Sequence, residues 1–239
     1  MGWFRRKGRK RETGFCSAVV VAAGSSSRMG EDKIMRELGG LPVVARTLMA
    51  FEQAAEIDEI VVVTREELVA ELAALCRELQ ISKVSKVIRG GNTRTQSARM
   101  GTLEVRREAE LIAIHDGARP FVSQEVISAA IEKAAQTGAA APAVPVKDTI
   151  KSAADGVVER TLDRSNLYAV QTPQVFEASL IRAALQKALD DGIELTDDCA
   201  AVERLGMRVS LTPGDEKNIK LTTPADLLWG EALLSEGVL

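Results

Sequence analysis

Residues 19–33 read VVVAAGSSSRMGEDK: an unbroken β-branched segment runs straight into small residues and ends near two cations, Arg28 and Lys33. A short apolar run without alternation, closed by a glycine, fits a strand buried on both faces, as in the middle of a parallel sheet. The first strand is therefore expected over residues 17–23. The loop that follows, Ala22-Ala23-Gly24-Ser25-Ser26-Ser27, carries almost no side-chain bulk, so its backbone N–H groups can close on phosphate oxygens. Arg28 and Lys33 add positive charge to the same loop, which suits a polyphosphate. Neither common phosphate loop is spelled here, since both G-x-x-x-x-G-K-[ST] and G-x-G-x-x-G require spacings this stretch lacks.

Outward from this loop the rhythm repeats. Residues 59–64, 84–88, 111–115 and 139–146 form further β-prone apolar runs, with helical patterns between them. Thr64 and Glu67 have capping-box spacing ahead of REELVAELAALCREL, and Ser123 opens QEVISAAIEKAAQ, which closes at Gly138. Strands and helices alternating in this way predict a three-layer α/β domain whose mostly parallel sheet is covered on both faces. Residues 147–176, KDTIKSAADGVVERTLDRSNLYAVQTPQVF, break the pattern: they are polar and turn-rich, with ADG marking a hairpin. An excursion this polar has little core of its own and is expected to lean on a second subunit. A helix near 178–190, a helix opened by Thr196 with Asp197 and Asp198 in its first turn, a strand at 208–212 and a last helix behind Thr223-Pro224 follow. The chain thus divides into a basic tail at 1–14 and one domain at 15–239, with a dimerisation arm at about 147–176.

Composition sets the outer bounds. With 239 residues, 46% of them apolar, the chain can bury a sizeable core and is neither disordered nor fibrous. A formal net charge of -3 gives no support to a nucleic-acid partner. Cys16, Cys76 and Cys199 are scattered and odd in number, which argues against a disulfide framework or a zinc site and for a reducing cytoplasm. The cations of the first eleven residues precede an apolar run that is too short and mixed for a signal peptide and better suited to a strand. No apolar segment reaches the roughly 18 residues of a membrane span.

Other turns carry polar chemistry at the same sheet edge. Gly90-Gly91-Asn92-Thr93-Arg94-Thr95-Gln96-Ser97 follows the third strand, His115-Asp116-Gly117-Ala118-Arg119-Pro120 the fourth, and Lys147-Asp148-Thr149 the fifth. In a parallel sheet these turns gather at the carboxyl ends, where such folds bind ligands, and together they predict a polyanion-binding cleft. No G-x-S-x-G elbow is present, and His115, at a strand end, is expected to pack or hydrogen-bond rather than catalyse. In order and spacing, AAGSSSRMG, GGNTRTQS, HDGARP, DTI, LDRSNLYAVQTPQ, TDDCAAVE and NIKLTTPADL resemble the 2-C-methyl-D-erythritol 4-phosphate cytidylyltransferase family, over about residues 17–228.

That resemblance implies a Rossmann-like nucleotidyltransferase fold with a protruding β-arm. It also implies a reaction in which the phosphate of methylerythritol phosphate attacks the α-phosphorus of CTP and pyrophosphate leaves, with Mg²⁺ assisting. Ala22, Ala23 and Gly24 would line the nucleotide, and Gly91 and Ser97 the cytosine ring. Arg28 and Lys33 would offset charge on the α-phosphate and the pyrophosphate. Asp116, Gly117, Arg119, Thr149, Arg164 and Thr172 would serve the acceptor, Lys220 would place its phosphate, and Asp116 would be a metal contact. The arm would interlock in a homodimer, so that Thr149 and Arg164 complete the partner's site. Two departures stand out: Asp32-Lys33-Ile34-Met35 replaces the family's Pro-Lys-Gln and aromatic residue, which leaves Arg36 as a lesser candidate beside Lys33, and Gly117 stands where Ala is common. Transfer to a pentitol phosphate such as ribitol 5-phosphate, or nucleotide binding without turnover, are the alternatives the same motifs allow.

Overall fold

The structure, a computed structural model, describes residues 13–24 and 34–237; Arg28 and Lys33 lie outside the described residues. In chain order the elements are β1 (Cys16–Val21), a small hairpin of β2 (Glu37–Leu38) and β3 (Leu41–Pro42), α1 (Val43–Gln53), β4 (Glu59–Thr64), α2 (Val69–Glu78), β5 (Val84–Arg89), α3 (Arg94–Glu104), β6 (Leu111–Asp116), α4 (Gln124–Thr137) and β7 (Ala139–Pro145). There follow β8 (Lys151–Ala154), β9 (Val157–Thr161), β10 (Tyr168–Val170), β11 (Gln174–Glu177), α5 (Ala178–Asp190), α6 (Asp198–Arg204), β12 (Ser210–Pro213) and α7 (Pro224–Ser235).

The strands β5, β4, β1 and β6 run parallel and side by side, with β1 at the centre of that set. Its side chains alternate between two cores, as burial on both faces requires. Ala18 and Val20 join Ile60, Val62, Leu48, Phe51, Leu72 and Ile127 under α1, α2 and α4. Val19 joins Val61, Val63, Ala98, Ile181 and Val202 under α3, α5 and α6. This is the expected three-layer, mostly parallel arrangement. A third apolar cluster of Leu38, Val43, Phe121, Leu221, Leu227 and Leu233 docks α7 against β2 and the start of α1.

Helix ends follow local chemistry in most places. The Ser123 side chain accepts from Val126 N at the start of α4, and Gly138 ends it at φ 84°, a left-handed conformation that glycine adopts without a Cβ penalty. Thr223 and Asp226 close a reciprocal capping box on α7, with Pro224 at its first turn. Two expectations fail. Thr64 caps nothing: it is the buried last residue of β4, and a short 3₁₀ turn, Glu66–Leu68, stands between it and α2. Asp197, not Thr196, caps α6, accepting from Ala200 N.

The excursion also ends earlier than its polarity suggests. Its tip is a real hairpin, β8 with β9, turned at Asp155 (φ 49°) and Gly156 (φ 78°), the two positive φ values that a tight two-residue hairpin turn needs. Yet β10 and β11 return to the main sheet, antiparallel to β7 and, for β11, to β6 as well. Gln171, Thr172, Gln174, Val175 and Phe176 are buried there. The protruding part is therefore the stretch before β10.

Candidate active site

Three turns meet at the carboxyl edge of β1, and backbone bonds stitch them together. Ala22 N donates to Val63 O at 2.7 Å, Gly90 N to Thr64 O at 2.7 Å, and Gly117 N to Val21 O at 2.9 Å. Small residues are what let them close up. A Cβ on Gly90 would lie 2.7 Å from both Ala23 Cβ and Ser97 Oγ, and one on Gly117 would lie 3.0 Å from Ala22 Cβ. Gly24 faces open space and is exposed, so the floor Ala22-Ala23-Gly24 leads outward to where the rest of the loop begins. Beside it the Gly91 N–H donates to Ser97 Oγ at 3.1 Å, while that hydroxyl donates to Thr93 O at 2.9 Å. Ser97 is 1% exposed, so it shapes the Gly91 turn from behind rather than lining open space.

Next to this floor sits a cluster of charge. Asp116, the last residue of β6, receives Lys220 Nζ at 2.9 Å and Arg94 Nε at 3.2 Å, with Arg119 Nε at 3.5 Å. Burial opposes a charge on Asp116, yet Arg94, Lys220 and Arg119 together hold its carboxyl well below the usual range. Arg94 continues inward to Asp198, its Nη2 2.7 Å from Oδ2. Three cations face two carboxylates, so the cluster keeps a net positive charge at neutral pH, which favours an anion nearby.

His115 lies directly beneath. Its Nε2 is 3.2 Å from Arg119 O, an atom that can only accept, so Nε2 carries the hydrogen and Nδ1 accepts from Thr172 Oγ1 at 3.0 Å. Thr172 Oγ1 in turn accepts from Asp116 N at 3.1 Å. Burial pushes the His115 imidazole down to about 3. It is a neutral, fully buried hydrogen-bonding residue packed on Phe51 at a ring separation of 4.7 Å, in line with the reading from sequence.

The structure thus brings Ala22, Ala23, Gly24, Gly91, Ser97, Asp116, Gly117, Arg119, Thr172 and Lys220 to one edge. Thr172, only 3% exposed and with its hydroxyl hydrogen committed to His115, props Asp116 from within. Thr149 and Arg164 are not brought there. Both are exposed, and the Arg164 guanidinium donates to Lys147 O at the base of its own arm. Asp116 does not fit the part of a metal ligand, because both its oxygens already face cations and Asp198 is taken up by Arg94. Among the described residues no group of three His, Cys, Asp or Glu side chains could hold a metal ion.

Sequence reasoning left three residues of this site without a role. Arg94 and Asp198 stand inside GGNTRTQS and TDDCAAVE, motifs quoted for likeness alone. Asn218, two residues before Lys220, is wholly buried. Its Nδ2 donates to Thr172 O at 2.9 Å and its backbone carbonyl accepts from Arg119 Nη1 at 2.7 Å, which ties the Lys220 loop to the rest of the cluster.

A side-chain-poor floor and a cationic cluster at the carboxyl edge of a three-layer sheet define a nucleotide-handling α/β protein of the nucleotidyltransferase class. Within that class the comparisons are specific. Residues 16–236 match the family model described as 2-C-methyl-D-erythritol 4-phosphate cytidylyltransferase, and the chain belongs to that family. It is 45% identical over 222 residues to the enzyme of that name from Halalkalibacterium halodurans, covering 92% of this chain and 97% of the relative. It is 46% identical over 226 residues to the one from Caldanaerobacter subterraneus subsp. tengcongensis, covering 91% and 98%. The crystal structure of 4-diphosphocytidyl-2C-methyl-D-erythritol synthase from Anaerococcus prevotii superposes with a TM-score of 0.84 at 31% identity, over 94% of this chain and 97% of that one.

Proposed function

We propose that the chain transfers the cytidylyl group of CTP to 2-C-methyl-D-erythritol 4-phosphate, giving 4-diphosphocytidyl-2-C-methyl-D-erythritol and pyrophosphate on the non-mevalonate route to isoprenoid precursors. Family membership supports the substrates, and the observation that best supports the chemistry is the Asp116 cluster beside the Ala22-Ala23-Gly24 floor. A phosphate oxygen of the acceptor forms a bond to the α-phosphorus as the bond from that phosphorus to the bridging oxygen breaks, and the electron pair leaves with pyrophosphate. The acceptor phosphate has its second pKa near about 6, so it is ionised at neutral pH and needs no general base. The neutral, buried His115 is in keeping with that. Positioning and charge stabilisation then carry the reaction.

In this reading Gly91 faces the cytosine, and Lys220 and Arg119 draw the acceptor phosphate to the floor. Asp116 takes the acceptor's hydroxyl hydrogens, and Gly117 lets its turn approach. Arg28 and Lys33 neutralise the α-phosphate and the departing pyrophosphate. Mg²⁺ accompanies the triphosphate, whose oxygens it habitually prefers to a protein cage. Thr149 and Arg164 reach a neighbour's cluster in a homodimer built through the arm, whose exposed Val157 and Val158, like Tyr168 and Val170 on the adjoining edge strand, want cover. No helix among the described residues is long and apolar enough to cross a membrane; a reducing cytoplasm suits the three buried cysteines. The test is pyrophosphate release from CTP and Mg²⁺ with methylerythritol phosphate. Turnover with ribitol 5-phosphate in its place, or silence with both, would overturn the proposal.

A further inference from the structure

We infer that Asp198 is a positioning residue for the reaction, acting on Asp116 through Arg94; this rests on the reading of Asp116 as part of the acceptor site. Within the cluster the two carboxylates are the covered members, Asp198 1% and Asp116 11% exposed, and Lys220 at 37% is more open than Arg94 at 26% or Arg119 at 14%. Lys220 is therefore the member a substrate phosphate reaches first. Once its ammonium turns to the phosphate, Asp116 keeps one hydrogen-bonded cation, Arg94, because Arg119 Nε stands off at 3.5 Å and its Nη1 is given to Asn218 O at 2.7 Å. An arginine side chain is long and holds an orientation only if anchored twice. Its second anchor is Asp198.

Asp198 is suited to be a fixed point. Its backbone N–H and that of Cys199 donate to Gln174 Oε1 at 2.9 and 3.0 Å, and Gln174 belongs to β11 in the central sheet. Its carboxyl is not needed to cap α6, because Asp197 does that and also accepts from Gln174 Nε2 at 2.8 Å. Stability does not account for the pair either. Burying a carboxylate with a guanidinium costs desolvation on both sides, and such pairs are often replaceable by apolar residues without loss of stability. What the pair achieves is geometric: a rigid wall of the sheet sets Arg94, and Arg94 sets the carboxylate at the end of β6.

The experiment is steady-state kinetics and urea unfolding of Asp198→Ala, Asp198→Asn, Arg94→Ala and the Arg94→Ala/Asp198→Ala double variant, with Asp116→Ala as reference. Losing one buried partner of a charged hydrogen bond is expected to raise KM for methylerythritol phosphate about tenfold or more in Asp198→Ala, with KM for CTP within about twofold. Asp198→Asn keeps an oxygen for Arg94 and is expected to recover most of the loss, which a fold defect in the alanine variant cannot mimic. The double variant is expected to be no worse than Arg94→Ala, since Asp198 acts only through Arg94. Additive losses, an Asp198→Asn variant as impaired as Asp198→Ala, or an unchanged acceptor KM in folded Asp198→Ala alongside a raised one in Asp116→Ala, overturn the inference. An unchanged acceptor KM in Asp116→Ala overturns the site reading beneath it.

Discussion

Lowering the pH from 7.0 to 5.5 is expected to cost the folded protein about 1.3 kcal/mol through one side chain, and His115→Gln is expected to remove that cost. His115 is the only histidine in the chain. It is wholly buried, both ring nitrogens are engaged, and burial depresses its pKa to about 3. In the unfolded chain the imidazole titrates near about 6.5. The stability tied to its neutral form is therefore fully present above that pH and is lost as the pH falls toward the folded value, because the unfolded chain binds a proton that the folded one refuses. At pH 5.5 the unfolded ring is roughly ten-elevenths protonated and the folded ring hardly at all; integrating from 7.0 gives the figure above. Carboxylates held low, such as Asp116 and Glu59, lose their contribution at lower pH and do so in both proteins. The assay is urea unfolding at the two pH values with linear extrapolation. The substitution also loses the Phe51 contact, a constant offset, so the pH difference within each protein is what counts. A wild-type stability as flat between 7.0 and 5.5 as that of His115→Gln would refute the reasoning.

Lys220→Met is expected to lower kcat/KM by about 10² or more with little change in urea midpoint, since its half-exposed ammonium contributes little to the fold; a large midpoint shift would make it a structural ion pair. Gly90→Ala is expected to cost about 1–3 kcal/mol and to raise KM for CTP, because the new Cβ meets Ala23 and Ser97 at 2.7 Å; unchanged unfolding and kinetics would mean the turn can yield. Arg28→Ala and Lys33→Ala are each expected to reduce kcat roughly 10²-fold, and a near-normal Lys33→Ala beside a crippled Arg36→Ala would move the second cation to Arg36. Mixing Arg28→Ala with Arg164→Ala subunits is expected to restore activity, one site of the mixed dimer holding neither lesion; exchange confirmed by mass without activity would return each arm to its own subunit.

The fold was legible where burial is two-sided, because there the strand advertises itself by composition. The runs of β1 and β4 are buried along nearly their whole length and read correctly within two residues. The failures have a common cause in competition for one residue. Thr64 has the right spacing for a cap, but it is claimed by β4, where its hydroxyl sits 3.5 Å from Ala22 O. Thr196 and Asp197 are both capping residues, and the carboxylate that also accepts from Gln174 wins. β11 and the turn before it were missed because their polar residues look exposed. Gln171 and Gln174 are buried since Asp215, Asp197 and Asp198 satisfy their amides, partners at least 23 residues away that no local pattern announces.

The same distance separates what could be read of the site from what could not. A glycine turn or a charge at a strand end is local information, so Ala22, Gly91 and Asp116 could be placed at one edge before any coordinates, whereas Lys220 joined them through the family resemblance alone. Arg94 meets Asp198 across 104 residues of chain, and neither residue alone differs from a solvated charge on a helix's first turn. Thr172 shows the step that resemblance cannot take. A hydroxyl has one hydrogen to give, and here it goes to His115 Nδ1 while the oxygen accepts from Asp116 N. A group so committed has no hydrogen left for a ligand and instead holds the backbone of Asp116. The residues that a motif associates with binding are therefore of two kinds, those that touch a substrate and those that keep the former still, and only the hydrogen-bond inventory of a folded site tells them apart.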